Sequence, residues 1–288
     1  MIKRQTTGSV VCTSCGKLVG VQEERCWNCG RRNPSLWGFA PAIRNLGHDL
    51  GFRSVVITGC LLLYMLSLVL SRGQINFSGL GFLGPANGAV QVLGASGSLP
   101  VFGNGWWWTL LSAGWLHGGL IHIGFNMYWV NQLAPVVAQM YGPGRSALIY
   151  LGASIFGFAM TSGIAYFMPG LPGPLRGAQF TLGASAAVFG WLGALIYYGR
   201  RSGSTQFSSQ ILSFALPLFV FGLIMPGVDN WAHAGGFIGG YGLSRWFDPL
   251  KPERIDHLLL ALVGVVLCLA AVAASVFFGW TLLLPRNG

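Results

Sequence analysis

Apolar runs of roughly 17 to 25 residues recur along this chain, the length a helix needs to cross about 30 Å of hydrocarbon. Seven such runs are read, at approximately 54–71, 114–137, 146–168, 182–198, 208–226, 231–247 and 257–284. Inside a bilayer every backbone N–H and C=O needs an internal partner, so helices are the expected spanning element. Composition agrees: 53% of the 288 residues are hydrophobic and 8% are charged, whereas a soluble domain carries about 25% charged residues. The expected fold class is therefore an all-α polytopic membrane protein, with membrane lipids as its immediate surroundings.

The net charge of +10 forms no stripe that would follow a phosphate backbone, so a nucleic-acid partner is excluded. Orientation in the membrane accounts for it instead. With the N-terminus cytoplasmic, the inner segments hold Lys3, Arg4, Lys17, Arg25, Arg31, Arg32, Arg44, Arg53, Arg145, Arg200, Arg201, Arg245, Lys251 and Arg254, leaving Arg72, Arg176 and Arg286 outside. That asymmetry predicts an N-terminus in the cytoplasm and, after seven spans, a C-terminus outside, with the cell membrane as the location. A Cys-rich polar segment stands where a signal peptide would need its apolar stretch, so the first apolar run is expected to act as an uncleaved anchor. Residues 73–105 carry no charge and many Gly, Asn and Ser; this connection is expected to fold partly into the outer leaflet, its backbone satisfied by its own turns and by protein contacts.

Three polar sets interrupt the apolar runs: His117, His122 and Asn126 in the second, Ser185 in the fourth, and His233 in the sixth. Such groups are costly at membrane depth unless they face a partner or a cavity, which makes them candidates for a functional site. Their three spans all run from outside to inside, and each residue lies in the first third of its span, so one depth near the outer face is predicted for all five. A serine hydroxyl becomes a nucleophile when a base takes its proton, and a neutral histidine suits that role. Ser185 and His233 form the expected pair. Small residues at every fourth position, Ala186, Gly190 and Ala194 on one helix and Ala232, Gly236 and Gly240 on the other, with Gly235 and Gly239 alongside, are expected to allow the close crossing that this pair requires. His122 and Asn126, four residues apart on one helix face, are candidates to donate to the oxygen of an attacked carbonyl, with the Ser185 backbone N–H as a third donor.

Four cysteines occur as Cys12-x2-Cys15 and Cys26-x2-Cys29, each pair followed by glycine, Gly16 and Gly30. The pattern predicts a zinc ribbon with four thiolates around a structural zinc ion and no open coordination position. On a reducing cytoplasmic side, disulfides are the less favoured reading. Cys60 and Cys268, inside apolar runs, are read as small hydrophobes.

Taken together, H-x4-H-x3-N at His117, His122 and Asn126, G-x-S at Gly183 to Ser185 and A-H-x-G-G at Ala232 to Gly236 resemble the rhomboid family of intramembrane proteases. The resemblance implies a six-helix core with Ser185 as nucleophile, His233 as base, and His122, Asn126 and the Ser185 amide as the oxyanion hole. It further implies supporting roles for His117, Gly183 and Phe189, the last in the place where many members stack a tyrosine on the base. It implies single-pass transmembrane proteins as substrates, cut near the outer face with no cofactor for catalysis, and leaves the oligomeric state open. The expected organisation is a cytoplasmic zinc-ribbon-like domain over 1–36, a linker over 37–53, the rhomboid core over 54–250 and a seventh C-terminal transmembrane helix within 251–288. Two departures stand out: Ala186 follows the serine where glycine is usual, and Trp108-Thr109 closes the first loop where many members have Trp-Arg. The alternative readings are a catalytically inactive rhomboid-like protein that binds or escorts membrane clients, and a metal or haem protein using His117, His122 and His233.

Overall fold

The computed structural model describes residues 4–13, 15–41, 47–225, 227–251 and 253–280. Lys3, Arg44 and Arg286 lie outside the described residues, as do the end of the fifth expected span at 226 and of the seventh at 281–284. The chain divides into two compact units, Met1–Phe52 and Arg53–Gly288.

In the first unit, strand β1 (Ser9–Val11) pairs antiparallel with β2 (Leu18–Gly20), Val10 opposite Val19. Its apolar interior is small, made of Val10, Cys12, Val19, Val21 and Cys26 with Cys15 packed against it. A core of that size cannot hold a fold by burial alone.

The second unit is helical. Its elements are α1 (Phe52–Leu70), the short α2 (Asn87–Val92) and α3 (Thr109–Ser112), α4 (Leu120–Tyr141), α5 (Pro143–Phe167), α6 (Ser185–Arg201), α7 (Thr205–Ile224), α8 (Asn230–Trp246) and α9 (Ile255–Gly279). Among the described residues, α1, α5, α7 and α9 are long and apolar enough to cross a membrane. The pattern of burial is that of a protein in lipid: Leu262, Val263, Leu269 and Phe277 of α9 are exposed, while Ser96, Thr109, Ser112, His117, Asn126 and His233 are buried. Water would favour the reverse; hydrocarbon outside and polar groups turned inward are what a multi-pass membrane protein requires.

Glycines bring α5, α6 and α8 together. A Cβ on Gly236 would run into the backbone of Ala186, one on Gly240 into the backbone of Gly190, and one on Gly193 into the carbonyl of Phe237. Gly235 and Gly239 serve another neighbour, facing Met160 and Phe156 of α5. The two glycine columns of α8 therefore press on different helices, and α8 is wedged between α5 and α6.

The uncharged connection after α1 is folded. It contains α2 and a wide turn over Leu99–Gly103, and its polar groups find partners: Tyr64 Oη donates to Leu83 O at 2.6 Å, Ala86 N to Ser71 Oγ at 2.8 Å, and Ser112 Oγ to Gly94 O at 2.8 Å. Thr109, at the family's usual arginine position, donates through Oγ1 to Trp106 O at 2.8 Å and lies 3.2 Å from Ser96 Oγ.

Candidate active site

Ser185 is the first residue of α6 and His233 the fourth of α8. The crossing at Gly236 and Ala186 brings these two helix starts side by side, and His233 Nε2 lies 2.9 Å from Ser185 Oγ. One turn into α6, Phe189 lies on the imidazole, ring centroids 4.4 Å apart and planes within 18°. The other ring nitrogen, Nδ1, is buried and meets no hydrogen-bond partner among the described residues. Asp229 is engaged in a helix cap: its Oδ1 accepts from Ala232 N at 3.0 Å.

His122 stands on the other side of the serine. A Cβ built on Gly183 would be 2.7 Å from His122 Nε2 and 3.7 Å from Ser185 Oγ, so the missing side chain at Gly183 is what admits the His122 ring. Gly183 also sits at φ +130°, where other residues are strained. His122 Nδ1 accepts from Gly118 N at 3.3 Å. In a neutral ring the proton then belongs on Nε2, leaving that nitrogen a donor beside Gly183. Asn126, buried one turn later, donates to His122 O at 2.9 Å. The Ser185 backbone N–H, at the start of a helix, has no intrahelical acceptor.

His117 is buried and packs edge-on against His122, centroids 5.1 Å apart. It does not lie on the helix, as the 114–137 span expected. A short turn over Ala113–Trp115 ends at Leu116 in extended conformation, and α4 begins after Gly119. The Gly118-Gly119 pair explains the break, since glycine is the poorest helix former after proline. Ala186 belongs to a buried cluster with Ala113, Phe158 and Ala232, so the methyl that replaces the usual glycine fills the helix packing. Asn230 escaped the sequence reading. Its Nδ2 donates to Gly222 O at 3.1 Å, and a Cβ on Gly222 would be 2.6 Å from Asn230 Oδ1 and 3.6 Å from His233 Nδ1. The only signal was a second polar residue beside Asp229 at the head of α8.

In the N-terminal unit the sulfurs of Cys12, Cys15, Cys26 and Cys29 all lie within 4.8 Å of one another, with Cys12 to Cys29 at 3.8 Å and Cys15 to Cys26 at 3.6 Å. Four sulfurs about 2.3 Å from a common centre would be about 3.8 Å apart in a tetrahedron, so the cluster fits a tetrahedral metal ion. The two halves share one local design: Gly16 N donates to Cys12 O at 3.0 Å and Gly30 N to Cys26 O at 2.9 Å. Both glycines have φ above +70° and open space where a Cβ would go. Conformation, not crowding, selects glycine there. The backbone N–H of Lys17 holds the Cys15 thiol down to about 6, whereas Cys29, despite the backbone N–H of Arg31, is pushed up to about 11 by burial and by the neighbouring thiols.

A multi-pass helical protein carrying a serine hydroxyl and an imidazole in contact between two of its helices belongs to a narrow class. A family model for the Rhomboid domain matches residues 104–247, half of the chain, and the protein belongs to the rhomboid family. It is similar to Rhomboid protease GluP of Bacillus subtilis, 33% identical over 178 residues that make up 61% of this chain and 32% of that protein. It is also similar to RHOMBOID-like protein 6, mitochondrial, of Arabidopsis thaliana, 32% identical over 57% of this chain and 51% of the relative. Rhomboid-type serine protease 2 of Emericella nidulans is 31% identical over 48% of this chain and 26% of the relative. The chain thus spans between about a quarter and a half of the length of these relatives.

Proposed function

We propose that this protein is an intramembrane serine endopeptidase that cuts single-pass transmembrane proteins near the outer membrane face through a Ser185–His233 dyad. The observation that carries the reading is the 2.9 Å approach of His233 Nε2 to Ser185 Oγ between two helices of a membrane protein. In this mechanism Ser185 Oγ attacks the carbonyl carbon as its proton passes to His233 Nε2. The tetrahedral oxyanion accepts from His122 Nε2–H, the Asn126 amide and the Ser185 backbone N–H, donors held in place before charge develops. The imidazolium then protonates the leaving amine, and a water deprotonated by the same nitrogen releases the acyl group. Phe189 fixes the ring plane, which matters here because Nδ1 has no partner among the described residues to orient it. His117 supports His122 by packing, and Gly183 leaves room for it. No cofactor takes part.

The proposed organisation keeps a zinc-ribbon-like domain over 1–36, a linker over 37–53, a six-helix core over 54–250 and one further helix within 251–288. The excess of Lys and Arg on alternate connections supports a cytoplasmic N-terminus in the cell membrane. A fluorophosphonate probe, which reports an activated serine, is expected to label the purified protein and to fail on Ser185→Ala and His233→Ala. Equal labelling of Ser185→Ala would end this assignment.

The four N-terminal thiolates are proposed to hold a structural zinc ion. Elemental analysis of the purified protein should find about one zinc per chain, and Cys12→Ser combined with Cys26→Ser should remove it. Because the metal would supply most of the folding energy of so small a unit, a strong chelator should make residues 1–40 sensitive to protease. Wild-type protein free of zinc would contradict this.

A further inference from the structure

The last described helix, α9, bears on the first loop. Ser275, fully buried, donates to Ala271 O at 2.8 Å and accepts the indole N–H of Trp108 at 3.0 Å. The Trp108 ring also packs on Phe278, centroids 5.2 Å apart. Val272 and Val276 pack against the cluster of Val90, Leu93, Ala95 and Leu116. Gly94, at φ +103°, brings the loop so near that a Cβ there would collide with Ser112 Oγ and Ser275 Oγ.

From this contact the loop leads directly to the candidate nucleophile. Ser96 and Thr181 exchange backbone hydrogen bonds of 2.9 and 2.8 Å, and Ser98 N donates to Ala178 O at 3.0 Å. Two residues beyond Thr181, Gly183 N donates to Ala113 O at 3.0 Å, and Ser185 follows. The segment that delivers Ser185 to α6 is therefore bridged antiparallel, at Ser96 and Thr181, to the loop that α9 supports.

We propose that Ser275 is a positioning residue: through Trp108 and loop residues 92–98, α9 holds the segment carrying Ser185 in register with His233. The proposal rests on the proteolytic reading of that site. An indole N–H is expensive to leave unpaired where water is absent, and that of Trp108 is matched by Ser275 only while α9 and the loop stay in contact, whereas the Ser275 hydroxyl keeps its own bond to Ala271 O. Thr109 reaches Ser96 and Trp106, so at this end of the loop its neighbour Trp108 supplies the side-chain link to α9.

The test uses the full chain in detergent as wild type, Ser275→Ala, Trp108→Phe and the double variant. Active sites are titrated with the fluorophosphonate, and kcat and KM are measured per titrated site on a model transmembrane substrate. Hydrogen exchange is followed in 92–98 and 178–183. Each single variant is expected to lower kcat about five-fold with KM unchanged, and to speed exchange in both segments by a similar factor; five-fold is the equivalent of about 1 kcal/mol, a typical neutral hydrogen bond. The double variant is expected to be no worse than either single one, since both remove the same bond. Misfolded molecules take no probe and leave the count, so a merely structural role would leave kcat per titrated site unchanged. Wild-type kcat per site in Ser275→Ala, or unchanged exchange in 178–183, overturns the proposal while the protease reading stands. Wild-type protein that takes no probe removes the protease reading, and the exchange data then decide by themselves whether Ser275 holds this segment.

Discussion

Ser185→Ala is expected to slow cleavage of a transmembrane substrate by at least about 10⁴-fold, and His233→Ala by a comparable factor. The reason lies in how little else the site offers. His233 Nε2 has Ser185 Oγ as its partner, and its Nδ1 has none among the described residues. Remove the hydroxyl and the base has nothing to activate; remove the base and the hydroxyl keeps a proton it does not lose at neutral pH. In the proposed dyad the two groups act as one unit, so the double variant should be no slower than either single one. Multiplying effects would mean that serine and histidine act in separate steps, contrary to a dyad. Stability is a second readout: losing one hydrogen bond is worth about 1 kcal/mol, so helical content and melting should change little. Cleavage in Ser185→Ala within ten-fold of wild type would transfer the chemistry to another residue.

The residues that stand out in the sequence do so because lipid makes polarity expensive. Ser185, His233, His122 and Asn126 are conspicuous against apolar runs, and the alternation of span direction puts them at one level before any contact is known. In the structure Ser185 begins α6, His233 lies in the first turn of α8, and His122 follows α4's start by two residues. The cysteine pairs are legible for a similar reason, since four soft ligands at that spacing have few other uses. Helix ends were harder. Gly118 and Gly119 look like the small residues that elsewhere line helix crossings, and nothing local says that here they break the chain and leave His117 on a turn.

The small-residue columns announced the crossing that brings Ser185 and His233 together, but the contacts of the first loop with distant segments were not legible. Trp108 and Ser275 are 167 residues apart, and neither position has a periodicity that names its partner. The Gly118 N to His122 Nδ1 bond, which settles the tautomer, depends on a loop conformation that composition does not encode. Trp108 alone reads as an interfacial aromatic; only the packed structure gives its N–H a destination. Sequence thus exposes groups whose cost is intrinsic, and hides those whose role comes from what they touch.

Gly236→Ala is expected to reduce cleavage about 100-fold while leaving a folded, membrane-embedded protein. The added methyl would strike the carbonyl, carbonyl carbon and Cα of Ala186, all backbone, so no side-chain rotation can relieve it. The helices have to separate by about 1 Å, at an overpacking cost of about 1–3 kcal/mol. Ala186 follows Ser185 directly and Gly236 lies three residues after His233, so the displacement falls within the reacting pair itself. A 1 Å error in such a pair costs on the order of 10² in rate. Gly242→Ala is the matched control: it lies on the same helix, a Cβ there meets nothing within 4 Å, and alanine is the better helix former by about 1 kcal/mol. That variant should cleave at the wild-type rate and melt no lower. If Gly236→Ala cleaves within two-fold of wild type, α6 and α8 possess slack that their packing does not suggest, and the spacing between them cannot be what sets the serine against its base.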